Sequence, residues 1–176
     1  FAQPPFDPWI SLLRNFAEIL PGDPEASDTL AEKISETAAS LPEGEIRESL
    51  LESSELLTAL VSLEEGQEPD SADQIKDLHL KMMLSVRNFI RALAREKQAV
   101  IVLDNMHNCD TASLEALSFL LSNCHQRVPL LVIFIHRPGE KNLLPPVKDD
   151  YCEVHELILG PLSDFDCKGI MRRMTG

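Results

Sequence analysis

The chain has 176 residues, of which 44% are hydrophobic and 26% charged, a composition typical of a globular domain with a hydrophobic core. Lys and Arg number 16 against 29 Asp and Glu, which gives a formal net charge of −13. This balance argues against a general binder of nucleic acids or anionic membranes, because such proteins present a basic surface.

The sequence shows neither a signal peptide nor an apolar run long enough to span a membrane. It contains four cysteines, without the close C-x-x-C pairs that are typical of zinc sites. Reduced cysteines are typical of intracellular proteins, so we expect a cytoplasmic location.

Apolar residues recur at helical spacing over residues 1–97. The first predicted helix begins with Asp7 as its N-cap and Pro8 at its first position, and the sequence Pro21-Gly22-Asp23-Pro24 ends it. Three further helices are predicted, over 28–40, 45–63 and 71–97.

The pattern changes after Gln98 to strands that alternate with helices. Continuous apolar runs at 99–103 and 129–135 predict strands buried on both faces, and 152–159 predicts a third. Helices are predicted over 111–123 and after the turn at 160–163. Strands and helices in alternation predict a parallel sheet with right-handed crossovers, so we expect an α/β fold with about three strands behind a helical N-terminal half. Three strands are few for such a sheet, so part of it is expected to lie outside this chain.

The most informative segment runs from Val100 to Glu115. The predicted strand ends in Asp104, a polar turn follows, and Asp110-x-x-Ser113 opens a helix. The carboxyl ends of parallel strands are where α/β folds bind ligands, and in P-loop nucleotide hydrolases an aspartate there, the Walker B aspartate, holds Mg²⁺.

The run Leu103-Asp104-Asn105-Met106-His107-Asn108-Cys109-Asp110-Thr111-Ala112-Ser113-Leu114 resembles the L-D-D-x-H/Q-x-x-D-x-x-S-L signature of signal-transduction (STAND) P-loop ATPases. These are the AAA-like domains of large regulators, including LuxR-type activators, soluble-adenylyl-cyclase-type proteins and certain multidomain kinases. The flanks are similar too, and the resemblance covers nearly the whole chain; the segments concerned are Pro5–Leu13, Phe89–Lys97, Ile135–Arg137 and Leu157–Ser163.

The Walker A loop, G-x-x-x-x-G-K-[ST], occurs nowhere in the chain. The family carries this loop upstream of the segment that matches Pro5. The resemblance therefore implies a partial ATPase domain, with a helical region over 1–97 and a Walker B and sensor region over 98–176. We expect this chain alone to be inactive and to bind no ATP.

The resemblance implies a role for three residues. Asp104 would hold Mg²⁺, although an aspartate can also merely cap a loop after a strand. Asn105 stands where the family has a second acid; an amide positions water but cannot accept its proton, so hydrolysis is expected to be slow or absent. Arg137 would contact the γ-phosphate as a sensor, or it is simply a surface residue at the start of a loop.

For the neighbouring polar residues a structural role is the simpler interpretation. His107 is expected to fill the turn rather than to contact a ligand. Asp110 and Ser113 are predicted to cap the helix that follows, with Asp110 as N-cap.

Two functions compete, and the missing Walker A loop argues against a third, a stand-alone enzyme formed by this chain. The first is an ATP-binding regulatory module of a larger multidomain protein, with ATP, Mg²⁺ and other domains of the same polypeptide as partners, and no direct contact with nucleic acid or membrane. The alternative is a nucleotide-independent interaction scaffold on a degenerate ATPase fold, which Asn105 favours. The family's strand order, 5-1-4-3-2, also predicts that 98–103 pairs with 129–135 and that no regular ladder joins 129–135 to 153–159.

Overall fold

A computed structural model of the chain describes residues 6–62, 72–122, 129–137 and 153–175. Two short parallel strands follow four helices, and one helix connects the strands. The elements are α1 (Asp7–Ala17), α2 (Ala26–Ser40), α3 (Glu45–Ser62), α4 (Ala72–Glu96), β1 (Ala99–Leu103), a 3-10 turn (Met106–Asn108), α5 (Thr111–Ser122), β2 (Leu130–Phe134) and α6 (Asp164–Thr175).

The start of α1 differs by one residue from the prediction. Phe6, not Asp7, precedes the helix, with a left-handed backbone at φ 64°, and its carbonyl accepts the N–H groups of Trp9 and Ile10 at 2.9 Å each. Asp7 is the first helical residue, where its carboxylate favours the helix dipole. The apolar ring of Phe6 is buried. Phe6 therefore occupies the capping position, for which a polar residue was expected.

The hydrophobic core lies among α2, α3 and α4 and extends under β1 and α5. Leu30 and Ile34 of α2 are buried, whereas Leu51 of α3 is 45% exposed. A polar contact also joins α3 to α4, because the Asn88 amide donates to Ser53 Oγ at 3.1 Å. The helical half and the inward residues of β1 therefore share one hydrophobic core.

β1 and β2 pair in parallel, with Ala99 opposite Leu130 and Leu103 opposite Phe134. This confirms the predicted pairing of 98–103 with 129–135. The ladder continues at its carboxyl end, where the Ile135 N–H donates to the Leu103 carbonyl at 2.9 Å. The α5 crossover that joins the strands packs on α4, and the inward residues of β1 belong to the same buried core as those of α5.

Burial of the strands on both faces was a wrong prediction. Ile101 and Leu103 are buried, but Val100 is 61% and Val102 57% exposed on the opposite face, beside exposed Leu131. Among the described residues, helices cover only one face of the sheet. Alternate side chains of each strand are therefore exposed to solvent.

The predicted third strand is not in the structure either. Residues 153–163 form no regular secondary structure, and no ladder joins them to β2 within the described part of the chain. Their apolar side chains are exposed; Leu157, for example, is 83% exposed. A strand needs a hydrogen-bonded neighbour, and β propensity alone does not supply one. The architecture is thus mostly helical with a two-stranded parallel sheet, compatible with part of an α/β P-loop fold.

The final predicted helix is present as α6. The hydroxyl of Ser163 accepts the Asp166 N–H at 3.2 Å and so caps its first turn. Across the ranges that the model describes, no helix combines the length and apolarity needed to cross a membrane.

Candidate functional site

The turn that follows β1 lies at the carboxyl edge of the sheet. Asp104 is the first residue after the strand, and its exposed carboxylate accepts the Asn105 N–H at 2.7 Å through Oδ1. The Met106 N–H donates to the Ile135 carbonyl at 3.0 Å, and the Met106 side chain is buried. The turn is therefore tied to the end of β2, which leaves the Asp104 carboxylate at the rim with its second oxygen outside this bond.

Asn105 has a left-handed backbone, with φ 56° and ψ 32°. Its carbonyl accepts the Asn108 N–H at 2.9 Å, which closes the 3-10 turn. Asparagine adopts this conformation more readily than most residues other than glycine. The asparagine at position 105 therefore has a conformational role, in addition to the chemical role that the resemblance implies.

An open groove of about 580 Å³ runs along β1 on the side of α1. Asp104 and Asn105 line one part of it, together with Asp7 of α1. Its wall is partly apolar, with further lining side chains from α1 and α4 that include Leu12, Phe16, Ile90 and Leu93. All five residues of β1 line the groove, and among the described residues β1 pairs only with β2.

Arg137 is not brought together with the other two predicted residues. It is exposed three residues beyond β2 and does not line the groove, although β2 is the strand that pairs with β1. His136 beside it places Nδ1 3.0 Å from the Arg137 carbonyl and its ring edge-on to Phe134. The structure therefore groups Asp104 with Asn105 and leaves Arg137 apart.

The comparison with family models bears directly on this turn. A model described as AAA ATPase domain matches residues 2–133 of the chain, from the start of α1 into β2. The chain belongs to the AAA ATPase domain family. The match includes Asp104 and Asn105 and stops before Arg137 and α6. Neither the comparison with curated proteins nor that with solved structures gave a match.

AAA ATPase domains generally bind ATP with Mg²⁺, so the donor set of the turn can be compared with that ion. Magnesium takes oxygen ligands, commonly one or two carboxylates with phosphate oxygens and waters. The exposed carboxylate of Asp104 fits this requirement. Among the described residues no three His, Cys, Asp or Glu side chains cluster as a metal site.

Three polar residues of the AAA domain's groove were not predicted as site residues. Asp7, Ser11 and Asn15 all line the groove from α1. They are four residues apart, a spacing that puts them on one face of a helix. These polar residues form a stripe along α1, and their four-residue spacing is the sequence signal that would have identified them.

Cys109 also lines the groove, at the end of the turn. Burial, followed by the charges of Asp110 and Asp7, raises the pKa of its thiol from 9.0 to about 11, while a hydrogen bond with Ser113 acts in the opposite direction. The thiol is therefore protonated at neutral pH and is not an activated nucleophile.

The predicted cap of α5 is confirmed. Asp110 Oδ1 accepts the Ser113 N–H at 2.8 Å, and Oδ2 accepts the Ser113 hydroxyl at 2.6 Å. His107, for which filling the turn was the favoured reading, lies half-buried in the 3-10 turn, with Nδ1 buried and unbonded among the described residues.

Proposed function

We propose that the chain is part of the ATP-binding module of a larger regulatory protein, with Asp104 as its magnesium-binding residue. The observation that carries this proposal is the exposed Asp104 carboxylate at the carboxyl rim of a parallel strand, beside an open groove, in an AAA ATPase domain. In this proposal residues 1–97 are the helical region and 98–176 the Walker B and sensor region. The phosphate-binding loop belongs to another segment of the same polypeptide.

Asp104 supplies the anionic oxygen for the ion. Its Oδ1 is engaged by the Asn105 N–H, which fixes the orientation of the carboxylate and leaves Oδ2 to face an ion or its water ligand. A bound Mg²⁺ would neutralise charge on the β- and γ-phosphates. Arg137 is assigned the sensor role, in which its guanidinium would contact the γ-phosphate.

Asn105 limits the chemistry. Its amide can orient a water molecule but cannot take up a proton at neutral pH, so we expect turnover to be slow. A regulatory switch needs only that the nucleotide binds two conformations with different affinities. Signal-dependent binding, rather than rapid hydrolysis, is therefore the function that this residue favours.

The test is calorimetric titration of the full-length protein with Mg-ATP. Asp104→Ala should reduce the affinity by about tenfold or more, since a charge-assisted contact is lost. Glu32→Ala is the matched control, because Glu32 is an exposed carboxylate on α2, away from the groove. Equal affinity of the wild type and Asp104→Ala would remove Asp104 from this role.

A nucleotide-independent scaffold is the second candidate. The exposed apolar face of the sheet, with Val100 and Leu131, and the amide at position 105 favour it. Asn105→Asp separates the two functions, because a gain in ATP turnover would show that the remaining catalytic machinery is intact. Partner binding by the full-length protein that is the same with and without ATP would favour the scaffold.

A further inference from the structure

The beginning of α1 and the beginning of α5 are joined directly, although they lie 104 residues apart in the chain. The Phe6 N–H donates to Asp110 Oδ1 at 3.3 Å. The Trp9 indole N–H donates to the Ser113 carbonyl at 3.2 Å. We call this group of four residues, Phe6, Trp9, Asp110 and Ser113, the latch.

Three of the four latch residues are shielded from water, whereas the Asp110 carboxylate is half-buried. Phe6 is 4% exposed, Trp9 1% and Ser113 0%, and the Phe6 ring lies edge-on to His79 of α4 at 5.3 Å between centroids. Hydrogen bonds in such surroundings are costly to leave unmade, because water cannot replace the lost partner. The junction is thus a specific joint and not a loose surface contact.

Asp110 takes part in two structures at once. The carboxylate that accepts the Phe6 N–H also accepts the backbone N–H and the hydroxyl of Ser113, so it caps α5 while it holds α1. The turn from Asp104 to Asp110 consequently has two anchors. One is the bond from Met106 to Ile135 at the sheet edge, and the other is the latch.

We propose that the latch positions the Asp104 turn against the groove, and that its opening moves this turn and so couples the position of α1 to the affinity for Mg²⁺. Asp110 and Trp9 act here as positioning residues, since neither is assigned a contact with ligand. The effect on Mg²⁺ rests on the proposed function, whereas the opening of the latch does not.

The chain contains its own reporter of this opening. Cys109 directly precedes Asp110 and is half-buried, whereas Cys167 on α6 is exposed. Because Cys109 is half-buried, iodoacetamide reaches it less readily than it reaches Cys167; a local opening of the turn exposes the thiol further and raises its alkylation rate. Peptide mapping by mass spectrometry measures each cysteine separately, with Cys167 as the internal control.

Trp9→Phe removes the indole N–H and keeps an aromatic ring in place. We expect Cys109 to be alkylated about tenfold faster in this variant, the effect of one lost buried hydrogen bond. Ser53→Ala loses a buried hydroxyl contact in α3, far along the chain from the latch, and should leave the Cys109 rate within about twofold. An unchanged Cys109 rate in Trp9→Phe would overturn the latch.

A second pair of variants serves if Trp9→Phe does not fold. Asp110→Ala and Asp110→Asn remove the same charge near the thiol, but only the asparagine keeps an acceptor for the Phe6 and Ser113 N–H groups. Cys109 should react about tenfold faster in the alanine variant than in the asparagine variant. Equal rates would contradict the latch.

The positioning role is tested in the full-length protein by the ratio of ATP affinities with and without Mg²⁺. Trp9→Phe should lower this ratio about tenfold and leave the Mg²⁺-free affinity unchanged, which a general loss of stability would not do. An unaltered ratio, with an Asp104→Ala variant that does lose Mg²⁺ dependence, overturns the positioning role alone. If Asp104→Ala also keeps its Mg²⁺ dependence, the proposed function is wrong. The latch is then tested by the Cys109 alkylation rates alone.

Discussion

Replacing Asn105 by alanine separates the conformational role of this residue from its chemical one. The backbone at position 105 has φ 56° and ψ 32°, where the Cβ of most L-residues crowds the following carbonyl. Alanine should cost about 1 kcal/mol relative to asparagine there, because its side chain offers no local polar compensation. The side chain is exposed, so no loss of buried area adds to this cost.

The assay is thermal unfolding of the 176-residue chain followed by circular dichroism. A loss of 1 kcal/mol corresponds to a fall in Tm of about 2–4 °C for a chain of this size. The free energy of unfolding of Asn105→Gly should remain within about 0.5 kcal/mol of the wild type. Glycine adopts positive φ without steric cost, and its only cost is the greater conformational entropy that it gives to the unfolded chain. The expected order of stability is therefore asparagine and glycine above alanine.

A control of opposite sign is available in α1. Asn15 is also an exposed asparagine, but it has a helical backbone, so Asn15→Ala should leave Tm unchanged or raise it. If alanine were as stable as asparagine at position 105 while glycine was clearly lower, the left-handed conformation would be refuted. The amide at this position would then need a purely chemical explanation.

Three further outcomes are expected. Because the pKa of the Cys109 thiol is raised in the folded state, its contribution to stability is complete below pH 9 and is lost as the pH rises towards 11. The free energy of unfolding in urea should therefore fall with pH over this range, and Cys109→Ala should make this fall shallower. An unchanged slope in the variant would contradict the assignment. Phe89→Ala, which removes a fully buried ring packed edge-on against Phe16, should lower the free energy of unfolding by about 3–5 kcal/mol in urea, whereas Leu51→Ala at an exposed position should change it by less than about 0.5 kcal/mol. Asp104→Ala should leave the Tm of the 176-residue chain within about 1–2 °C, since the carboxylate is exposed; a large fall would identify Asp104 as a structural residue.

Local signals in the sequence were sufficient where they act within one element. The strand at 99–103 has the predicted bounds, since a β-branched apolar run is framed by Gln98 and Asp104. The start of α5 at Thr111 follows from the Asp110 cap, whose bonds to Ser113 span only three positions. Bounds of this kind depend on backbone chemistry that a short window contains.

The differences arise where the outcome depends on distant parts of the chain. Residues 153–159 have the composition of a strand, but pairing needs a neighbour, and the structure provides none in the described residues. Val100 and Val102 belong to a run that reads as buried on both faces, and only the cover provided by other elements decides which side is enclosed. Local composition contains no information about that cover.

The candidate site was predictable in part for the same reason. Asp104 was found because its signal, a strand followed by an acid and a capped helix, lies within one continuous segment. Asp7, which lines the same groove, is 97 positions earlier and was assigned a capping role from its local pattern. The latch was likewise not predicted, because its two hydrogen bonds each join residues 104 positions apart.

The most direct test of the central claim is the Mg²⁺ dependence of ATP binding in the full-length protein. Affinities measured with and without Mg²⁺ give a ratio that reports the carboxylate–metal contact and not the nucleotide contacts made elsewhere. We predict that Asp104→Ala brings this ratio close to one and leaves the Mg²⁺-free affinity intact. A ratio in Asp104→Ala that equals the wild-type ratio would contradict it.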